Sequence, residues 1–137
     1  MLARDVMSSP VVTVRSDVPV PAAAALLVSH GFTGAPVVDA EHRLIGVVTE
    51  ADLVRGRIVP DGGTVVEEPE PTVGQVMTPS PTAMPPHADL ADVVARMLEH
   101  GIRSMPTVED GRPVGVVSGR DALRVVADRG HVRTAGR

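Results

Sequence analysis

The sequence predicts an α/β (α+β) fold in which two β-α-β-β-α repeats pack by their sheets into a pseudo-two-fold module. Three observations predict it. Short segments recur in the same order in both halves of the chain. Each half alternates brief Val-rich runs with one Ala/Leu-rich helical run. Glycine and proline fall at the joints between these runs.

The repeat is read directly from the residues. Val6-Met7 returns as Val76-Met77, His30-Gly31 as His100-Gly101, and Pro36 and Val38 as Pro106 and Val108. One residue is then lost in a turn. Beyond it Gly46-Val47-Val48 returns as Gly115-Val116-Val117, Asp52 as Asp121 and Arg55 as Arg124. Matches that keep this order with a single slip are not a product of composition.

In the first copy, residues 11–14 read as a short strand. Ser16-Asp17 offers a cap region, and Pro19 and Pro21 suit a helix entrance, where the missing N–H costs nothing. A helix follows over residues 22–29. It closes at His30-Gly31, with glycine free to turn left-handed and His30 near the negative end of the dipole. Residues 35–38 and 44–48 read as paired strands around the turn 39–42, and Thr49 to Asp52 opens a second helix. In the second copy Asp89 caps a helix through His100, with Asp92 as its capping-box partner. Glu109-Asp110-Gly111-Arg112 is a tight hairpin of type I′ character, and Ser118 to Asp121 opens the last helix.

The repeats are assigned to residues 1–56 and 73–129, joined by a flexible acidic connector over 57–72 and followed by a basic, disordered tail over 130–137. The connector carries Pro60, Gly62, Gly63, Glu67, Glu68, Pro69, Glu70 and Pro71. A copy of about 55 residues with few large side chains makes a marginal core alone, so the copies are expected to pair and leave two clefts for small ligands.

Composition narrows the function. With one Phe, no Trp and no Tyr in 137 residues, any ring ligand must be held by aliphatic side chains. A net charge of −4 disfavours general nucleic-acid binding, which needs clustered positive charge. The weakest reading considered is nucleic-acid contact through Arg124, Arg129, Arg133 and Arg137. No Cys is present, so disulfides, thiolate metal sites and Cys nucleophiles are excluded. The amino terminus lacks a signal-peptide pattern and no run is long enough to span a membrane, which makes the cytoplasm the expected location. The five His show no metal-ligand spacing, and His30 and His100 read as helix-end residues. Met97 and Met105 read as core. No catalytic triad order or paired-carboxylate pattern stands out, so neither a catalytic residue nor an enzyme is expected.

Met-Ser-Ser-Pro at 7–10, His-Gly-Phe-Thr-Gly-Ala-Pro-Val at 30–37 and Gly-Val-Val-Thr-Glu-Ala-Asp-Leu at 46–53 together resemble the cystathionine-β-synthase (CBS) domain. The second copy matches with Met-Thr-Pro-Ser-Pro at 77–81, His-Gly-Ile-Arg-Ser-Met-Pro-Thr at 100–107 and Gly-Val-Val-Ser-Gly-Arg-Asp-Ala at 115–122. The resemblance implies a tandem pair, here without an attached effector domain. It implies binding of AMP, ADP, ATP or S-adenosylmethionine as a regulatory ligand, with no cofactor required. It also implies a homodimer forming a disc of four repeats and action on a separate effector protein.

By the same resemblance Asp52 and Asp121 accept the two ribose hydroxyls, a task suited to a carboxylate with two acceptor oxygens. Thr49 and Ser118 sit where free helix-start N–H groups meet phosphate. By spacing alone a helix capping box is the stronger reading, and it is the double occurrence within the family context that favours ligand contact. Arg103 and Arg120 are placed beside the phosphates. The first copy has Thr33 and Ala51 at those positions. One cleft is therefore expected to use Asp121, Ser118, Arg103 and Arg120 on the ribose-phosphate side. Val12, Phe32 and Thr33 are expected on the adenine side, with Val116 on the other face. The Asp52 cleft is left with three options: a less charged ligand, a borrowed arginine, or none. The competing reading is a ligand-free structural module for dimerisation or docking.

Overall fold

The computed structural model describes residues 1–63 and 69–135, with side chains in the last helix followed through Arg129. The chain forms β1 (Val14–Arg15), α1 (Val20–His30), β2 (Gly34–Val38), β3 (Leu44–Thr49) and α2 (Glu50–Val54). It continues with α3 (Val73–Val76), β4 (Thr78–Pro79), α4 (Leu90–His100), β5 (Ser104–Glu109), β6 (Arg112–Ser118) and α5 (Gly119–Ala135). A single 3-10 turn at Ala3–Asp5 precedes them. The mixed α/β class and the β-α-β-β-α order within each copy agree with the sequence.

Two compact units result. One is continuous over Val12–Pro81, and the other joins Met1–Val11 to Thr82–Arg137. The compact units are thus cut differently from the stretches 1–56 and 73–129 that repeat in sequence. The leading segment of each copy belongs to the unit built around the other copy. Matching hydrogen bonds anchor both segments. In the continuous unit Val73 N–H donates to Val18 C=O (2.8 Å), Gly74 N–H to Ser16 C=O (2.9 Å) and Val20 N–H to Pro71 C=O (3.0 Å). In the discontinuous unit Ala3 N–H donates to Ala88 C=O, Arg4 N–H to Pro86 C=O and Leu90 N–H to Met1 C=O, each at 2.9 Å.

The continuous unit holds a four-stranded sheet in the order β1-β2-β3-β4. Strand β1 runs parallel to β2, while β2–β3 and β3–β4 are antiparallel. In the discontinuous unit β5 and β6 form an antiparallel pair. Its outer strands are reduced to single bridges, Met84 beside Thr107 and Ser8 beside Val116. Those bridges match Val14–Val37 and Thr78–Val47 in the other unit, so the plan is the same with shorter edges. Strand β1 is shorter than the 11–14 run expected, because only Val14 and Arg15 align with Val37 and Val38.

Local signals set the helix limits. Pro19 is the N-cap of α1 and Pro21 lies in its first turn. Gly31 and Gly101 end α1 and α4 in the left-handed region, at φ 67° and 64°. Phe32 N–H then reaches back to Leu27 C=O and Ile102 N–H to Met97 C=O, both at 3.0 Å. The capping-box role assigned to Asp92 is a correction. Asp89 Oδ1 accepts from Ala91 N–H at 3.0 Å, while the Asp92 N–H donates to the Asp89 carbonyl at 3.0 Å, so the reciprocal pair with Asp92 is not made. The hairpin turn is as expected, with Asp110 and Gly111 both at positive φ (51° and 77°).

Each unit has its own core. The continuous one buries Val14, Val20, Ala23, Leu27, Ala35, Val37, Val48, Leu53 and Val73. The discontinuous one buries Ala3, Leu90, Val93, Met97, Met105 and Val117, which confirms Met97 and Met105 as core. Thr107 is fully buried where the other unit has Val37, and its hydroxyl donates to Met7 Sδ at 3.1 Å. Within the connector, residues 60–63 form a turn with Gly63 N–H on Pro60 C=O, and Arg57 pairs with Glu70 at 3.3 Å. Glu67 and Glu68 lie outside the described residues. Helix α5 continues to Ala135, through most of the stretch expected to be a disordered tail, and residues 136–137 lie outside the described residues. No helix among the described residues is long and apolar enough to cross a membrane.

Candidate ligand-binding site

In each unit a strand runs without a loop into a helix, and the sequence at that corner is Thr/Ser-x-x-Asp. Thr49 ends β3 and caps α2; Ser118 ends β6 and precedes α5. The strands end there because the next residues abandon the sheet pairing: Gly34 faces Thr49, and Ser104 faces Ser118, as the last partners. The first helical N–H of each helix is satisfied from the neighbouring strand's approach. Glu50 N–H donates to Thr33 C=O (3.0 Å), and Gly119 N–H to Arg103 C=O (2.9 Å).

Both corners are closed by reciprocal bonds. Thr49 N–H donates to Asp52 Oδ2 at 3.0 Å, and Asp52 N–H to Thr49 Oγ1 at 3.3 Å. Ser118 N–H donates to Asp121 Oδ2 at 2.8 Å, and Asp121 N–H to Ser118 Oγ at 3.1 Å. The capping-box geometry admitted by the spacing is therefore present twice. Asp52 is 8% exposed, and the Asp121 side chain 11%. A carboxylate this enclosed needs polar partners, and the helix-start N–H groups provide them.

The backbone brings Arg103, Ser118, Arg120 and Asp121 to one end of the discontinuous unit. Arg103 and Arg120 are both exposed. Val116 lies one turn of pleat behind Ser118 on β6, bridged to Ser8 by Ser8 N–H to Val116 C=O (2.9 Å). In the continuous unit Thr33, Thr49 and Asp52 meet at the equivalent end. Val12 precedes β1, and among the described residues no hydrogen bond ties it to that corner. Phe32 is 40% exposed and outside the core; it stacks on His30 with ring centroids 5.0 Å apart. Among the described residues no group of three His, Cys, Asp or Glu could hold a metal ion.

A CBS domain model matches residues 3–58 and again residues 73–128. The chain belongs to the CBS domain family. Its fold is close to the CBS domain pair of protein MJ0100 in complex with 5′-methylthioadenosine and S-adenosyl-L-methionine: TM-score 0.80, 25% identity, covering 94% of this chain and 98% of that one. It is similarly close to CBSX2 in complex with AMP, with TM-score 0.78, 27% identity and coverage of 94% and 98%. A curated relative, protein MJ1225 of Methanocaldococcus jannaschii, is 27% identical over 90% of this chain. The chain spans 42% of that relative's length.

Within the CBS repeats, two contacts to the aspartates were not anticipated. Thr78 Oγ1 donates to Asp52 Oδ2 at 3.4 Å, and Arg124 pairs with Asp121 Oδ1 at 3.5 Å. The sequence did carry a signal for both, since Met77-Thr78 and Arg124 lie in repeated segments. Their proximity to the aspartates depends on the segment exchange and on the helix register, neither of which the repeat reveals. The matched residue Ser8 is exposed, and Asp121 receives its side-chain contacts from Ser118 and Arg124 among the described residues.

Proposed function

We propose that this CBS pair is a regulatory sensor for an adenosine-type ligand (AMP, ADP, ATP or S-adenosylmethionine) and that it acts on a separate partner protein. The observation that carries the reading is the corner at Asp121. A nearly buried carboxylate, with Oδ2 held by a backbone N–H and Oδ1 paired with Arg124, stands at the start of a 17-residue helix whose first N–H meets the Arg103 carbonyl and whose second residue is Arg120. Carboxylate, helix start and guanidinium are the groups a ribose phosphate requires. The bound molecules of the two structural relatives, S-adenosyl-L-methionine with 5′-methylthioadenosine and AMP, share the adenosine moiety.

The roles proposed for the residues are those that the CBS resemblance implies. Asp121 and Asp52 accept ribose hydroxyls; Ser118 and Thr49 line the same corners. Arg103 and Arg120 neutralise phosphate, and Val12, Val116, Phe32 and Thr33 serve the base. Copy one has no arginine at the matched positions and its helix α2 has only 5 residues, so its corner suits the less charged ligand. A ligand that favours one conformation of the module shifts its population, which is how occupancy would reach a partner.

A second reading, a ligand-free docking or dimerisation module, is favoured by one observation. Both corners are complete capping boxes and so have a structural use without any ligand. Native mass spectrometry of the purified protein separates the two readings and counts subunits. The sensor reading expects a dimer carrying an adenosine-sized adduct, or taking one up when AMP is added, and losing it in Asp121→Ala. A dimer that takes up none of the four candidate ligands supports the docking module instead.

A further inference from the structure

Asp52 is held by more than its own helix start. Thr78, 26 residues further along the chain, donates its hydroxyl to Asp52 Oδ2. That oxygen also accepts the Thr49 N–H. Thr78 is exposed on the two-residue strand β4, where it pairs with Val47, and its neighbour Met77 lies over Gly46. Among the described residues Oδ1 has no donor.

Two donors on one oxygen restrict a carboxylate more than one does. The terminal torsion of Asp is broad and roughly two-fold, so a single N–H leaves the group room to rotate. A second donor, arriving from a different strand, narrows that range and keeps Oδ1 as the oxygen available to a ligand. The other unit is braced differently. Ser8 stands at the matched position without reaching Asp121, and Arg124 approaches Oδ1 instead. The two corners are therefore not equivalent, although their sequences repeat.

We propose that Thr78 is a positioning residue for Asp52, fixing its carboxylate so that Oδ1 receives a ligand hydroxyl. This inference rests on the reading of Asp52 as a ribose contact. It goes further by making β4, the strand that follows the connector, part of the first corner but not of the second.

The test compares the unaltered protein with Thr78→Val, which removes the hydroxyl at nearly constant volume, Thr78→Ser, which keeps it, and Ser8→Ala as the matched control. Amide hydrogen exchange of Thr49 is read without ligand, and calorimetry gives the affinities for adenosine, 2′-deoxyadenosine and 3′-deoxyadenosine. Thr78→Val is expected to speed Thr49 exchange and to reduce the preference for adenosine over the deoxy analogues, each on the order of 2- to 10-fold, the worth of one hydrogen bond. Thr78→Ser is expected to restore both, and Ser8→Ala to change neither. If adenosine binds but exchange and preference are the same in all four proteins, or the Ser variant is as impaired as the Val variant, the positioning role is wrong and the sensor reading stands. If the unaltered protein binds no adenosine, the positioning role of Thr78 at a ribose-holding Asp52 is wrong; if it also binds none of AMP, ADP, ATP and S-adenosylmethionine, the sensor reading falls with it.

Discussion

The Met77 thioether lies against Gly46 so closely that a β-carbon on the glycine would sit 2.5 Å from the sulfur and 2.9 Å from the Thr78 carbonyl oxygen. Met7 and Gly115 repeat the relationship in the other unit, at 2.5 Å from sulfur and 3.0 Å from the Ser8 carbonyl oxygen. A methionine can swing aside, but the carbonyls belong to backbone pairing and cannot move alone. Glycine at these two places lets the exchanged segments lie flat on β3 and β6. Gly46→Ala and Gly115→Ala are each expected to lower stability by about 1–3 kcal/mol, the usual cost of overpacking. Gly119→Ala is the control. Its β-carbon would meet only the Arg103 carbonyl oxygen at 3.7 Å, and it should be neutral or gain up to about 1 kcal/mol in the helix. Urea unfolding midpoints decide the matter, and equal behaviour of all three variants would contradict the packing described.

The capping boxes have a stability consequence of their own. Ser118→Ala and Thr49→Ala each remove the acceptor for an Asp N–H at a helix start. Each should cost about 1 kcal/mol, within the range of N-cap replacements. Denaturant melts without ligand measure this term apart from any binding effect. No change in either variant would mean that the reciprocal bonds do not persist in solution.

Much of this fold was legible in the sequence, and the reasons are local. Gly31 and Gly101 marked helix ends because only a residue without a β-carbon turns left-handed there at little cost. Asp110-Gly111 fixed a hairpin for the same reason. The repeat aligns Thr49-x-x-Asp52 with Ser118-x-x-Asp121. The exchange of leading segments was not legible. Val6-Met7 and Val76-Met77 read the same whether they pack on their own copy or on the other, because the two copies offer equivalent apolar surfaces. Thr78 and Arg124 were missed at the site for a related cause: their contacts to Asp52 and Asp121 differ between units whose sequences match. Asp92 has the spacing of a capping-box partner for Asp89, but Asp89 Oδ1 takes the Ala91 N–H and the Asp92 N–H goes to the Asp89 carbonyl.

Arg103 tests the phosphate side of the proposal. Its side chain is exposed, and its carbonyl accepts the Gly119 N–H, which places its backbone at the entrance of α5. Arg103→Ala keeps that backbone bond and removes only the guanidinium. The loss of affinity should grow from adenosine to AMP to ATP, reaching on the order of 10- to 100-fold for the most charged ligand. Calorimetric titration of the three ligands gives the trend. An equal loss for adenosine and ATP would contradict a phosphate contact.

The most direct test of the central claim is a melting titration of the unaltered protein with AMP, ADP, ATP and S-adenosylmethionine. A ligand that binds the folded state stabilises it by about 2.7 kcal/mol at a concentration 100-fold above Kd. At least one of the four is expected to raise Tm by several degrees and to saturate, with the rise reduced in Asp121→Ala. A Tm that none of the four moves at millimolar concentration would contradict the account.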